Sequence, residues 1–215
     1  MEHTTNRFAD MALALSGLDK QSETIDAAAR ILAEAARRGT LIHVFGVDAR
    51  AADIEGEIFF RPGCFANVNP IYDPAFANSH GAYRSELCRP LDGLAVRILE
   101  YYEYVEPGDP MLLLTFDADS TALRQAAEWA KEHELRVVAI LPDKPVRERT
   151  AALFDKAIYC GDSFGTLLMT AALDDLMARA VALVPEVDVW TGNIFPSMET
   201  CAPMIERYLW RVRHL

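Results

Sequence analysis

A chain of 215 residues, 51% hydrophobic and 25% charged, has the make-up of an ordinary globular protein. It can bury about 70% of its unfolded surface in a single domain. Acids outnumber bases 32 to 21, and no basic run exceeds two residues, which argues against nucleic acid or a membrane surface as a partner.

The polar start Met1-Glu2-His3-Thr4-Thr5 opens no signal-peptide core. The longest apolar stretch, 165–184, carries Asp174, Asp175 and Arg179 near its middle, which argues against a membrane span. Cys64, Cys88, Cys160 and Cys201 are far apart and lack C-x-x-C spacing, so they read as small buried or half-buried thiols in a reducing cytoplasm. With no linker, repeat or low-complexity tract, one domain over 1–215 is expected.

In chain order, residues 6–17 and 22–38 read as two helices. Ile25, Ala28, Ile31, Leu32 and Ala35 recur at helical spacing, with Ser22 as the expected N-cap and Gly39 as the stop after Arg37-Arg38. The period then changes: Leu41-Ile42-His43-Val44-Phe45 is a buried strand ending at Gly46. A helix is predicted over 51–60, closed by Pro62-Gly63, then a strand from Cys64 to Asn69. Pro90, at an N1 position, starts a helix to Tyr104, and Glu106-Pro107-Gly108-Asp109 is a turn. Met111-Leu112-Leu113-Leu114-Thr115 is the clearest strand. A helix over 120–133, a strand Val137–Leu141 stopped by Pro142, and a strand Lys156–Cys160 follow. Helices over 165–184 and 197–213 complete the chain.

Strands alternating with helices imply βαβ crossovers, and near-continuous apolar strands imply a parallel sheet covered on both faces. Any ligand site then lies where the strands near 41–46 and 111–115 run out into loops. The first strand ends in Gly46-Val47-Asp48-Ala49-Arg50, with one glycine in place of G-x-G-x-x-G, so no dinucleotide cofactor is expected.

Four segments carry a family resemblance. Two helices run into Ile42-His43-Val44-Phe45-Gly46; Val68-Asn69-Pro70-Ile71 follows the second strand; His80-Gly81-Ala82-Tyr83-Arg84-Ser85 precedes a helix; and Trp190-Thr191-Gly192-Asn193 stands before a helix with Ile205-Glu206-Arg207-Tyr208. In this order and spacing the chain resembles the sugar isomerase (SIS) domain family of phosphosugar isomerases and phosphosugar-binding regulators, more narrowly a bacterial subgroup. The resemblance implies a three-layer α/β/α sandwich with a flavodoxin-like, five-stranded parallel sheet (order 2-1-3-4-5) behind two N-terminal helices. It also implies a homodimer that holds a sugar phosphate at the strand C-termini.

The departures bear on function. Where the family has Gly-x-Gly-x-Ser after the first strand, this chain has Gly46-Val47-Asp48-Ala49-Arg50. Where it has Ser-x-Ser-Gly followed by Asn or Thr after the third, this chain has Thr115-Phe116-Asp117-Ala118-Asp119-Ser120-Thr121. The ligand-binding set carried over is Gly46, Asp48, Arg50, Thr115, Asp117, Ser120 and Thr121. A carboxylate about 4 Å from a phosphate charge costs about 4 kcal/mol at an effective dielectric of 20. A helix N-terminus returns about 0.3–1 kcal/mol at an exposed site. Aspartates aimed into the cradle would therefore repel the ester. Arg50, Arg61, Arg84 or Arg124 could neutralise them, a metal could sit between them, or they could cap their own helices. Capping is the expectation, with no metal.

SIS isomerases use Glu and His. The 20-residue stretch Pro70–Arg89 is too long for a passive connection and holds Asp73, His80, Arg84 and Glu86. His80 as base, oriented by Glu86, is the catalytic pair to test against a plain loop histidine. His43 reads as a satisfied core residue, His3, His133 and His214 as exposed, and Tyr101, Tyr102 and Tyr104 as packing groups. Helix 165–184 reads as core with a dimer surface. The leading expectation is a SIS-fold binding or regulatory module with an altered phosphosugar site and no robust isomerase activity. The alternatives are an aldose–ketose isomerase using His80 and Glu86, and a ligand-free dimerisation scaffold.

Overall fold

A computed structural model of the chain describes residues 6–102, 104–191 and 198–214. Gly192 and Asn193 of the resemblance, and His3, lie outside the described residues. Five strands, β1 (Ile42–Gly46), β2 (Val68–Pro70), β3 (Pro110–Leu114), β4 (Arg136–Pro142) and β5 (Lys156–Cys160), form one sheet in the order β2-β1-β3-β4-β5. Every neighbouring pair is parallel.

Alternation along each strand builds the layers. Ile42, Val44, Leu112, Leu114, Val138, Ile140 and Ile158 pack in one cluster with residues of α2 (Ser22–Arg38) and α8 (Gly165–Ala182). Phe45, Met111, Leu113, Val137, Ala139 and Leu141 pack in another with α5 (Leu94–Tyr101) and α6 (Thr121–Glu132). A smaller cluster joins Leu41 and Ala66 to Met204 and Tyr208 of α9 (Met198–Tyr208) and to Val212 beyond it. The fold is therefore the expected three-layer sandwich. The apolar residues of α8 are largely buried within the chain, including Leu168, Leu173, Leu176 and Met177. By contrast α1 (Arg7–Ser16) buries no residue fully and leaves Phe8 83% and Leu13 74% exposed.

Several boundaries differ from expectation. Ser22 does not cap α2, because a 3-10 turn over Gly17–Gln21 runs directly into the helix. The helix expected over 51–60 is only α3 (Ala49–Ala52), followed by a 3-10 turn over Glu55–Ile58. The second strand has three residues, with Cys64–Asn67 running in as irregular chain. Pro90 does not start a helix: it lies between α4 (Ala82–Cys88) and α5, and Gly93, at φ +78, redirects the chain. A short α7 (Glu148–Ala151) precedes β5.

His43 is a satisfied core residue. Asn69 Nδ2 lies 3.1 Å from His43 Nδ1, while Asn69 Oδ1 accepts the Arg213 N–H at 3.4 Å. Asn69 is thus the donor, which leaves the His43 proton on Nε2, 3.3 Å from Asp109 Oδ2. Burial pushes the Asp109 carboxyl up, but the hydrogen bonds it accepts, chiefly from His43, hold it below its ordinary range.

Gly46 ends β1 where α3 comes closest. A Cβ built there would stand 2.4 Å from backbone atoms of Ala51 and Ala52. Gly46→Ala is expected to lower stability by about 3 kcal/mol, read as a drop in the denaturant midpoint at unchanged slope.

Candidate functional site

In the middle of the sheet β1 pairs with β2 on one side and β3 on the other, so strand order reverses there and the outgoing loops diverge. The loops after β1 and β3 do not leave an open cradle. Asp48, extended at φ −149, is 6% exposed, and its carboxylate lies between them. Oδ1 accepts the N–H groups of Arg50 and Ala51 at 3.1 and 3.0 Å. Oδ2 accepts the Thr115 hydroxyl at 2.9 Å and the Phe116 N–H at 2.5 Å. One side chain thus caps α3 and also takes the donors of the facing loop.

The other loop is likewise satisfied from within. Thr115, fully buried, accepts the Asp117 N–H at 2.9 Å. Asp117 Oδ1 accepts the Asp119 N–H at 3.2 Å, and its Oδ2 accepts Arg89 Nη1 at 3.1 Å. Asp119 pairs with Arg147, and Ser120 caps α6 by accepting the Leu123 N–H at 3.4 Å. Thr121 is the first residue of α6.

None of the four arginines that could have neutralised the aspartates does so. Arg50 turns away: its guanidinium stacks 3.9 Å over the Phe116 ring and donates to Thr166 Oγ1 at 3.1 Å. Arg61 pairs with Glu57, Arg124 with Glu128, and Arg84 donates to the Pro74 carbonyl. The partner of Asp117 is Arg89. No group of three or more His, Cys, Asp or Glu suited to a metal occurs among the described residues.

His80 ends a 3-10 turn over Asn78–His80, with Nδ1 3.1 Å from Ser79 Oγ. Glu86, on α4, pairs with Arg89 at 3.3 Å, so Arg89 ties it to Asp117. The carboxyls that share a cavity with His80 are Asp53, Glu55 and Asp73, and of these Glu55 is the buried one. This cavity, of about 460 Å³, is lined by Glu55, Tyr72, Asp73, Ser79, His80 and His214 among others. Glu55 is 1% exposed, and its Oε2 accepts the Gly46 N–H at 2.9 Å.

Burial pushes the Glu55 carboxyl well above its ordinary range against the pull of the Gly46 N–H, with Asp73 and Asp53 adding to the rise. Burial, with Glu55 and Glu57, takes the Tyr72 phenol up to about 12. Burial and the neighbouring Arg213 lower His214, which shares a hydrogen bond of 2.8 Å with the Tyr102 hydroxyl. Sequence reasoning missed Glu55 because it looked like one more acid on a solvated helix. Its nearness to Gly46 was the available signal, hidden by the break after Ala52. Burial also pushes the Cys64 thiol to about 11 and Cys160 to about 12, which suits inert core thiols rather than nucleophiles.

Two outcomes are expected. Asp48→Ala removes the cap of α3 and strands the Thr115 hydroxyl and Phe116 N–H, so it should cost about 2–3 kcal/mol in denaturant unfolding. For Glu55, the folded protein keeps a proton that the unfolded chain releases between the ordinary carboxyl value and the raised one. Stability should therefore fall as pH rises through that window, by up to about 1.4 kcal/mol per pH unit. Glu55→Gln should flatten that fall in melting temperature measured against pH.

A sequence model of the SIS domain family matches residues 8–141. The UPF0309 protein of Brucella abortus strain S19 is 29% identical over 242 aligned positions, covering all of this chain and 99% of that protein. A UPF0309 protein of Brucella ovis is 24% identical with the same coverage. Among solved structures, phosphoheptose isomerase GmhA from Neisseria gonorrhoeae superposes with a TM-score of 0.60 at 14% identity, over 85% of this chain and 96% of that one. The sugar isomerase domain of an RpiR transcription factor from Sphaerobacter thermophilus gives 0.54 at 16% identity, over 83% and 89%. At these identities the structural likeness speaks for the fold.

Proposed function

Because this chain belongs to the SIS domain family, we propose that it is a sugar-phosphate-related binding or regulatory module whose phosphate cradle is closed by its own carboxylate, without robust isomerase activity. The observation that carries this reading is the Asp48 carboxylate, which accepts four hydrogen bonds between the β1 and β3 loops. These are the donors an incoming phosphate would need. The carboxylate is attached to the chain and meets them without the entropy cost that a free ester bears on binding. An ester approaching it would also meet Asp117.

The cations at the strand ends support the same reading, because they are already engaged. Arg89 holds Asp117, Arg147 holds Asp119, Arg50 lies on Phe116, and Lys144 pairs with Asp162 at 3.3 Å. The protein acts in the cytoplasm as a homodimer. The exposed Phe8 and Leu13 of α1 supply an apolar face for the second copy. Among the described residues no helix is long and apolar enough to cross a membrane.

A thermal-shift panel of pentose, hexose and heptose phosphates tests this. The wild-type chain is expected to show no shift, where 100-fold excess over Kd at an open site would add about 2.7 kcal/mol. Asp48→Ser should bring a shift where none existed. Clear shifts in the wild type would overturn the closed-cradle reading. Aldose–ketose turnover that is lost in His80→Ala would establish an isomerase instead.

A further inference from the structure

The cavity at Glu55 is separate from the loops that Asp48 closes, and its chemistry differs. Besides Glu55 its lining holds the carboxyl groups of Asp53 and Asp73, and no Lys or Arg lines it. Neither aspartate is matched by a cation among the described residues: Asp53 Oδ2 accepts Asn78 Nδ2 at 3.3 Å, and Asp73 Oδ1 accepts the Ala75 N–H at 2.7 Å. Glu55, 1% exposed, offers a second oxygen: Oε2 is taken by Gly46, while Oε1 has no hydrogen-bond partner among the described residues. Oε1 is not among the fully enclosed atoms that lack a partner, so its remaining surface opens on the cavity, where an ionised Glu55 can accept a donor from a ligand. Around it the Tyr72 ring, Ala52, Pro74 and Ala77 give apolar wall.

We propose that this cavity binds a small organic ammonium ion, held by Glu55, Asp53 and Asp73 with its carbon skeleton against Tyr72. An anion is repelled by the rim carboxylates. A metal ion requires a tight shell of ligands, and the described residues offer no such group. An ammonium donates to oxygens spread around it, and it gains from an aromatic face. The volume of about 460 Å³ holds a chain or ring of several carbons.

Binding should move a proton. Burial raises the Glu55 carboxyl in the free protein, and a cation placed beside it favours the carboxylate, so binding of the ammonium is linked to loss of a proton over the pH range in which Glu55 titrates. The other titratable groups facing Glu55 are Asp53, Asp73, Tyr72, His80 and His214. Tyr72 is pushed up and His214 down, so each stays neutral near neutrality.

Calorimetric titration of the full chain with putrescine, butanediol and succinate tests this, since the three share a four-carbon skeleton and differ in charge. Putrescine is expected to bind at least about tenfold more tightly than butanediol, and succinate not at all. Its affinity should rise from mildly acid pH to neutrality, a rise that Glu55→Gln removes. Asp73→Asn should weaken putrescine about tenfold. Asp73 is only half-buried, so this variant keeps the test sharp if Glu55→Gln fails to fold. Equal binding of putrescine and butanediol, no putrescine heat, or unchanged affinity in Asp73→Asn would overturn the proposal. The closed-cradle reading stands or falls separately, on phosphate esters and Asp48.

Discussion

The two loops that leave the middle of the sheet share one carboxyl group. Asp48 begins α3 and could have capped that short helix alone, with its second oxygen in solvent. Instead the second oxygen reaches the Thr115 hydroxyl and Phe116 N–H of the neighbouring strand's exit. Four donors around one buried group fix the spacing of the loops and direct the Thr115 hydroxyl inward. They also leave the outer charges to settle among themselves, as Asp117 does with Arg89 and Asp119 with Arg147. The outer pairs are half-exposed, and such pairs add little to stability. The inner group matters more because it is dry, and removing it leaves donors with no water to turn to.

Gly46 is used from both sides. Its bare Cα lets the backbone of Ala51 and Ala52 pack against the end of β1, and its N–H holds Glu55 as the chain returns through the 3-10 turn. The strand's last residue therefore separates two acids of different surroundings. Asp48 is enclosed by four donors, while Glu55 meets one donor and an apolar wall. Environment, rather than residue type, decides what each carboxyl does.

The layers were legible because their cause is local. Parallel strands buried on both faces read as unbroken apolar runs, and helical spacing marked α2 and α6. The boundaries that failed were set by tertiary contacts. Ser22 looks like a cap, but Gly17–Gln21 had already started the helix. Pro90 looks like a first helical residue, but Gly93 turns the chain before α5 begins. At the site, an aspartate at a loop-to-helix junction announces a cap, so the capping half of Asp48 could be read. Its bonds to Thr115 and Phe116 join residues 67 and 68 positions apart and left no local trace. The same holds for Arg89, whose charge is spent 28 positions away on Asp117, and for Glu55, whose burial follows from a helix that stopped early.

The buried line from Asp109 through His43 and Asn69 ends at the Arg213 N–H, close to the last residue of the chain. That backbone group orients the Asn69 amide so that its NH2 faces Nδ1 of an imidazole whose Nε2 hydrogen is already taken by the Asp109 carboxylate. A segment far along the chain therefore helps satisfy a ring at the centre of the sheet. Without the Arg213 N–H the amide would be free to rotate and could leave Nδ1 without its donor, so a change near residue 213 would be felt in the interior.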